Sequence, residues 1–467
     1  MSILGKRSKN LTIAKKKMRI NLTDNNLGKD TFAREDIGTL FPLAGKSLYN
    51  LCCENEKLLI FPHDINEGND HIGESSVFNI ENTENPEVVR ITTGNIVGFI
   101  GTGNLKIKIK SRFDNGRDDY FLHYMLQRVL SFNILDLSHN NEQEDIFDFI
   151  MFMFPYFLKK ALHQGLYREY RREEHNDARI KGAIDVNRFI RKDIPFQGRI
   201  AYAVRNHSND NAMTELIRHT IEYMKTKKYG QNILTTDSET VEYVRSIIDH
   251  TPNYCRAERQ QIIQQNLRLR AHPYYTEYRP LQSLCLQILG MEEIKFGEAE
   301  NEIYGIIFDA AWLWEEYLNI VLQPLQFKHP ENKIGKGGFT LFEYFDDIGK
   351  KHHCGRRYPD FYTSKFVLDA KYKRFENFVR MSQIDRNDLH QLITYMTRLK
   401  VDKGGFIVPI NKPLTLPSVK LKNTESTLSV YGLIINSTKT SYQKFKSEMA
   451  IEEELMKKQL IAEENVI

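Results

Sequence analysis

The sequence predicts a mixed α/β protein (α+β overall) with a β-rich first part, a mainly helical middle and an α/β final part. Three patterns lead there. Between Thr31 and Arg112, short β-branched runs alternate with Asn and Gly, clearest in VVRITTGNIVGFIGTGNLKIKIK, where Thr-Gly-Asn and Gly-Thr-Gly-Asn read as turns between strands. From Tyr120, Met125, Val129 and Leu130 the apolar spacing becomes helical and stays so to about Gly297. From Ala310 onward the chain reads helix, strands, helix, strand, strand.

Taken in order, residues 1–30 form a basic arm: Lys6, Arg7, Lys9, Lys15, Lys16, Lys17 and Arg19 precede the first acidic residue, Asp24. Residues 31–117 form the β-rich domain and 118–299 the helical region. One non-helical island, RIKGAIDVNRFIRKDIPFQGRIAYAVRNHSNDN, interrupts the latter before a helix over Glu215 to Lys225. Residues 300–440 hold a helix from Trp312 to Leu322, a strand from Phe366 to Lys371, a helix from Leu389 to Leu399, and strands Gly405 to Ile410 and Leu428 to Asn436. A strand, a helix and a strand at that spacing imply a right-handed parallel crossover. Residues 441–467 are a charged helical tail whose Ile451, Leu455, Leu460 and Ile461 either meet a partner or fold back.

At 467 residues, 41% hydrophobic and 27% charged, the chain has the composition of a folded globular protein rather than a disordered one. A net charge of +4 does not by itself demand a polyanionic partner. Five cysteines with no CxxC pair argue against a disulfide framework or zinc ribbon and predict a reducing, cytoplasmic setting. The apolar stretch from Ile146 to Leu158 is broken by Asp148 and Pro155 and is too short for a bilayer, so no membrane association is expected. Nothing in the first residues reads as an export signal.

The chemistry is concentrated in RRYPDFYTSKFVLDAKYKR. A hairpin would bring Asp360 to Asp369, and the two-residue period of a strand puts Asp369 and Lys371 on one face. Two carboxylates and a lysine suit phosphodiester hydrolysis: Mg²⁺ takes oxygen ligands, neutralises phosphate and acidifies a bound water. Lys371 would orient or deprotonate that water, or stabilise developing charge. Glu315, on the preceding helix, is placed to add a third carboxylate, and Asp388, Gln391 and Tyr395 share one face of the following helix. Arg356, Arg357, Lys365, Lys373 and Arg374 flank the cluster and are the candidates for contacting DNA phosphate. A second basic, aromatic-interleaved stretch, Tyr156 to Arg205, reads as a solvated face or a further phosphate track.

These motifs resemble the PD-(D/E)xK nuclease superfamily, and within it McrC and the LlaJI-type restriction proteins. The resemblance is carried by LWEEYL with Glu315, by YPDF, VLDAKYK and RNDLHQLITYM, and more loosely by VGFIGTGNLKIKIKSRF, RIKGAIDVNRFI and NDNAMTELIRHTI. It implies a restriction-endonuclease-like fold for the last domain. Asp360, Asp369 and Glu315 would then bind Mg²⁺, Lys371 would be the catalytic lysine, and Gln391, Tyr395 and Asp388 would support them. It further implies a DNA endonuclease subunit of a restriction system against phage, recruited by a ring-forming AAA+ GTPase of McrB type that the β-rich domain engages, as a monomer or a dimer. Two other functions stay open: a stand-alone nuclease of repair or mobile-element processing, and a non-catalytic subunit that activates the partner NTPase.

Three weaker patterns are set aside. Gly45-Lys46-Ser47 ends like a phosphate-binding loop, but Gly38 is too distant for GxxxxGK[ST], so no nucleotide site is expected on this chain. His352, His353 and Cys354 lack a fourth zinc ligand at finger spacing. Gly98, Gly101 and Gly103 lack the strand-to-helix context of a dinucleotide fingerprint and read as strand turns.

Overall fold

A computed structural model describes residues 18–28, 30–54, 58–62, 76–102, 105–113, 119–130, 150–227, 230–269, 272–296, 303–330, 337–414, 416–436 and 441–465. The chain divides into two compact units, Met1–Met125 with Phe296–Ile467, and Leu126–Lys295.

The first unit opens with a five-stranded sheet in the order Met18–Thr23, Leu105–Lys110, Ile96–Thr102, Ile303–Asp309, Leu58–Phe61. The run LKIKIK alternates buried and half-buried residues along its length, the period of a strand with one face on the core. Ile20, Leu22, Ile60, Ile100, Ile107 and Ile307 meet in that core. Gly98 lies inside the strand rather than at a turn, with φ +131 and a site for Cβ only 2.1 Å from the Ile306 carbonyl oxygen, so the neighbouring strand approaches only because the side chain is missing. A three-stranded sheet, Asp30–Ala33, Val88–Thr93 and Phe78–Asn82, packs into the same core.

Two expectations change here. The basic arm was expected to run to residue 30, but Met18–Thr23 is a strand paired in parallel with Leu105–Lys110; residues 1–17 lie outside the described residues. Residues 303–309, placed within the last domain and given no element, form the strand Ile303–Asp309, which joins the first sheet between Ile96–Thr102 and Leu58–Phe61, so the β-rich part and the last part share one unit.

The second five-stranded sheet of this unit runs Phe361–Tyr362, Phe366–Ala370, Lys403–Ile410, Thr427–Ile434, Val419–Lys420. Its three central strands are parallel, with the helix Arg386–Leu399 as the crossover between the first two of them. The run Gly404 to Ile410 is buried throughout, as expected of a parallel strand covered on both faces. Val367, Phe406 and Val408 pack with Leu392, Tyr395 and Met396 of the crossover helix. The tail is the helix Tyr442–Asn465, and it folds back: Glu453 is buried and its Oε1 accepts from the hydroxyls of Tyr124 and Tyr317, each at 2.7 Å. Ile451, Leu455 and Ile461 stay exposed.

The second unit carries a three-stranded antiparallel sheet, Glu169–Asp177, Ile200–Ser208 and Ala183–Ile184, with the helices Phe154–His163, Ala212–Lys225, Ser238–Asp249 and Arg259–Asn266 among its elements. The charged segment Glu169–Asp177 falls where helix was expected. Its pairing with Ile200–Ser208 over nine residues each outweighs local preference. The island also holds a helix, Val186–Lys192, started by Asp185, whose side chain accepts from the Arg188 amide at 3.1 Å. Among the described residues, no helix is long and apolar enough to cross a membrane.

Candidate active site

An antiparallel ribbon, Phe339–Phe345 and Lys351–Arg357, feeds Tyr358 and Pro359 into the start of the hairpin. Phe361 then pairs with Leu368, which sets Asp360 beside the end of the Phe366–Ala370 strand. Asp360 Oδ2 accepts from the Ala370 amide at 2.6 Å, fastening the hairpin through the side chain itself. Asp369 is 1% exposed and Lys371 follows on the same face, its Nζ 2.8 Å from Asp369 Oδ2 and 3.4 Å from Asp388 Oδ1. Asp388 Oδ2 also pairs with Lys373 at 2.6 Å. Asp385 caps this helix and leaves Asp388 in its first turn, where the helix dipole favours a carboxylate.

Glu315 sits half-buried on the helix Ala310–Leu322, which Asp309 caps by accepting from the Trp312 amide at 2.7 Å. Burial raises Asp360 well above the usual carboxylate range, and the charges of Glu315 and Asp369 raise it further against Lys371. Burial also raises Asp369, with the charge of Lys371 opposing. For Lys371, burial favours the neutral amine, but Asp369, Asp360 and Asp388 outweigh it and hold the ammonium above its ordinary pKa. Lys371 is therefore a cation across the neutral range.

Gln391 donates to the Tyr395 hydroxyl at 2.8 Å, and that hydroxyl lies 3.4 Å from the Tyr358 carbonyl, just before Pro359 and Asp360. Arg374 donates to the Arg112 carbonyl, and Lys373 is occupied by Asp388, so these two are engaged locally. Arg356 and Arg357 lie exposed on the ribbon, and Lys365 is exposed at the hairpin turn.

Two features had no motif to reveal them. His329 lies against Asp360, with Nδ1 2.7 Å from its carbonyl oxygen and Nε2 3.8 Å from Glu315 Oε1. Tyr372, next to Lys371, is bound to the first sheet's far end: its hydroxyl meets Ser111 Oγ at 2.7 Å, and its carbonyl accepts from the Arg112 guanidinium at 2.5 Å. Arg112 is in turn paired with buried Asp24 at 3.3 Å. Burial pushes the Asp24 carboxyl up to about 6 despite that pairing. Lone histidines, serines and arginines at such separations carry no periodic signal.

The donor chemistry suits a hard cation. Asp369 Oδ1 is buried without a hydrogen-bond partner, and Asp360 offers a second carboxylate beside it. Among the described residues, no three His, Cys, Asp or Glu side chains are gathered closely enough to hold an ion as they stand. Mg²⁺ does not require three, since it commonly binds through one or two carboxylates and completes its shell with water and substrate phosphate.

Fold and cluster together define a mixed α/β protein in which a buried aspartate and a lysine at the end of a parallel strand meet a half-buried aspartate from the adjoining hairpin. The chain belongs to the family described as the McrBC 5-methylcytosine restriction system component, whose model matches residues 91–409. It is similar to a chain of the refined half-complex from the tetradecameric assembly of Thermococcus gammatolerans McrB AAA+ hexamers with bound McrC, at 15% identity and a TM-score of 0.45, covering 93% of this chain and 100% of that one. A chain of the Thermococcus gammatolerans McrBC complex matches at 18% identity and a TM-score of 0.31, covering 67% of this chain and 90% of that one. Among curated proteins no match was found.

Proposed function

We propose that this restriction-system component is its DNA-cutting subunit, a Mg²⁺-dependent endonuclease of PD-(D/E)xK type. The observation that carries the reading is the pairing of a buried, donor-free Asp369 oxygen with Asp360 on one side and the Lys371 ammonium on the other. Asp360 and Asp369, with Glu315 nearby, would hold the ion. When bound, Mg²⁺ would neutralise phosphate charge and acidify a water. Lys371, whose Nζ lies 2.8 Å from Asp369 Oδ2, is placed to stabilise the charge that builds on the phosphoryl oxygens. Asp388 orients Lys371, and Gln391 with Tyr395 steadies the main chain ahead of Asp360.

The partner in this reading is a ring-forming AAA+ GTPase, by analogy with the McrB hexamers that carry McrC in the Thermococcus assembly. Cleavage of methylated and unmethylated DNA, with Mg²⁺ and with or without the ring and GTP, tests it. Scission that needs both Mg²⁺ and the ring is expected. Strong cutting by the chain alone would replace the reading with a stand-alone nuclease, and no scission under any condition would leave an assembly subunit.

Arg356 and Arg357, exposed on the ribbon that enters the site, are assigned to the phosphate backbone. Replacing both by alanine should weaken DNA binding and reduce the slope of log affinity against log salt by about 2, one for each phosphate no longer neutralised. A slope equal to that of the wild type would remove them from the interface.

A further inference from the structure

We propose that His329 is a positioning residue of the carboxylate cluster, acting through Asp360 and Glu315; the proposal rests on the nuclease reading of that cluster. Its place is set by the main chain. Lys328 and Tyr362 exchange amide hydrogen bonds, at 2.8 and 3.0 Å, so the next residue along is carried to Asp360. The imidazole is only 10% exposed and stacks on Phe361, with ring centroids 4.9 Å apart and planes within 23°.

A carbonyl oxygen accepts and never donates. The 2.7 Å contact to the Asp360 carbonyl therefore assigns a proton to Nδ1 and fixes the plane of the ring. Nε2 is thereby directed towards Glu315 Oε1, at 3.8 Å, beyond a direct hydrogen bond but well within electrostatic reach. One ring thus spans from the backbone of one carboxylate residue to the side chain of another. Asp360 is also restrained at its carboxylate by the Ala370 amide, so His329 adds an anchor on its main chain. A histidine with one nitrogen anchored and the other aimed at an acidic cluster matches the outer partners that orient metal-binding groups.

The test is Mn²⁺ binding to the full chain, read by electron paramagnetic resonance, beside the Mg²⁺ dependence of DNA cleavage with the partner ring. Three variants are compared: His329→Ala, His329→Asn, whose amide N–H stands close to the place of Nδ1, and His329→Gln, whose amide reaches the place of Nε2. The alanine variant should bind Mn²⁺ about 10-fold more weakly and need correspondingly more Mg²⁺ for half-maximal cleavage. Its rate at saturating Mg²⁺ should fall less. The asparagine variant should recover most of the binding and the glutamine variant should not.

Wild-type affinity in the alanine variant would overturn the proposal, as would equal losses in alanine and asparagine variants with unaltered melting. If the alanine chain fails to fold, the comparison of asparagine with glutamine still decides. Failure of the nuclease reading is recognisable separately: wild-type protein would then neither bind Mn²⁺ nor cut, and this inference would fall with it.

Discussion

Replacing Asp369 by alanine is expected to abolish DNA cleavage, by about 10³-fold or more, and to remove divalent-ion binding with it. The magnitude follows from what a bound cation contributes: several kcal/mol of transition-state charge stabilisation, each 1.36 kcal/mol being a factor of about ten. Asp369 is the residue to test because it is 1% exposed, faces Lys371, and keeps one oxygen free of hydrogen bonds. The substitution takes one partner from Lys371 but leaves Asp388 at 3.4 Å, so the chain should still fold with a lowered melting temperature, and loss of cutting is scored on folded protein. Residual cutting equal to the wild type would make the site structural and leave the chain an assembly subunit.

Lys371→Gln is expected to lose cleavage by about 10² to 10³-fold, the scale for removing one preorganised charge-stabilising donor, while keeping ion binding. The two variants separate the two roles. Lys371 lies 2.8 Å from Asp369 and 3.4 Å from Asp388, so its removal takes a cation away from the carboxylates, and Mn²⁺ should bind as tightly as before or more so. Loss of Mn²⁺ binding in Lys371→Gln to the extent seen in Asp369→Ala would mean that the lysine holds the site together rather than serving the reaction.

Much of the α/β order around the site was legible because it rests on local pattern. Apolar runs at Phe366 and Gly404, with an amphipathic helix between them, announce a parallel crossover, and the period of two places Asp369 with Lys371. The turn at Gly94-Asn95 falls where Asn and Gly placed it, between Val88–Thr93 and Ile96–Thr102. Pairing across long separations was not legible. The strand IYGIIFD went unread, and nothing in it says that Gly305 will lie against Ile100 and Leu58 in the first sheet. The charged strand Glu169–Asp177 exists because Ile200–Ser208 pairs with it, and that information lies outside the segment. His329 and the group Ser111, Arg112 and Tyr372 were hidden for the same reason: each becomes meaningful only when two registers are known. In the tail, packing buries Tyr442, Phe445, Met449, Met456 and Leu460 and leaves Ile451, Leu455 and Ile461 outside, a division that the charged sequence did not announce.

Anomalous diffraction from crystals of the full chain soaked in Mn²⁺ would locate the ion on which the proposed chemistry depends. The expected result is one peak shared by carboxylate oxygens of Asp360 and Asp369, with the Lys371 nitrogen displaced from Asp369 and outside the coordination shell. Crystals without a peak there, in which Asp369 still pairs with Lys371 at saturating Mn²⁺, would contradict a metal-dependent nuclease site in this cluster.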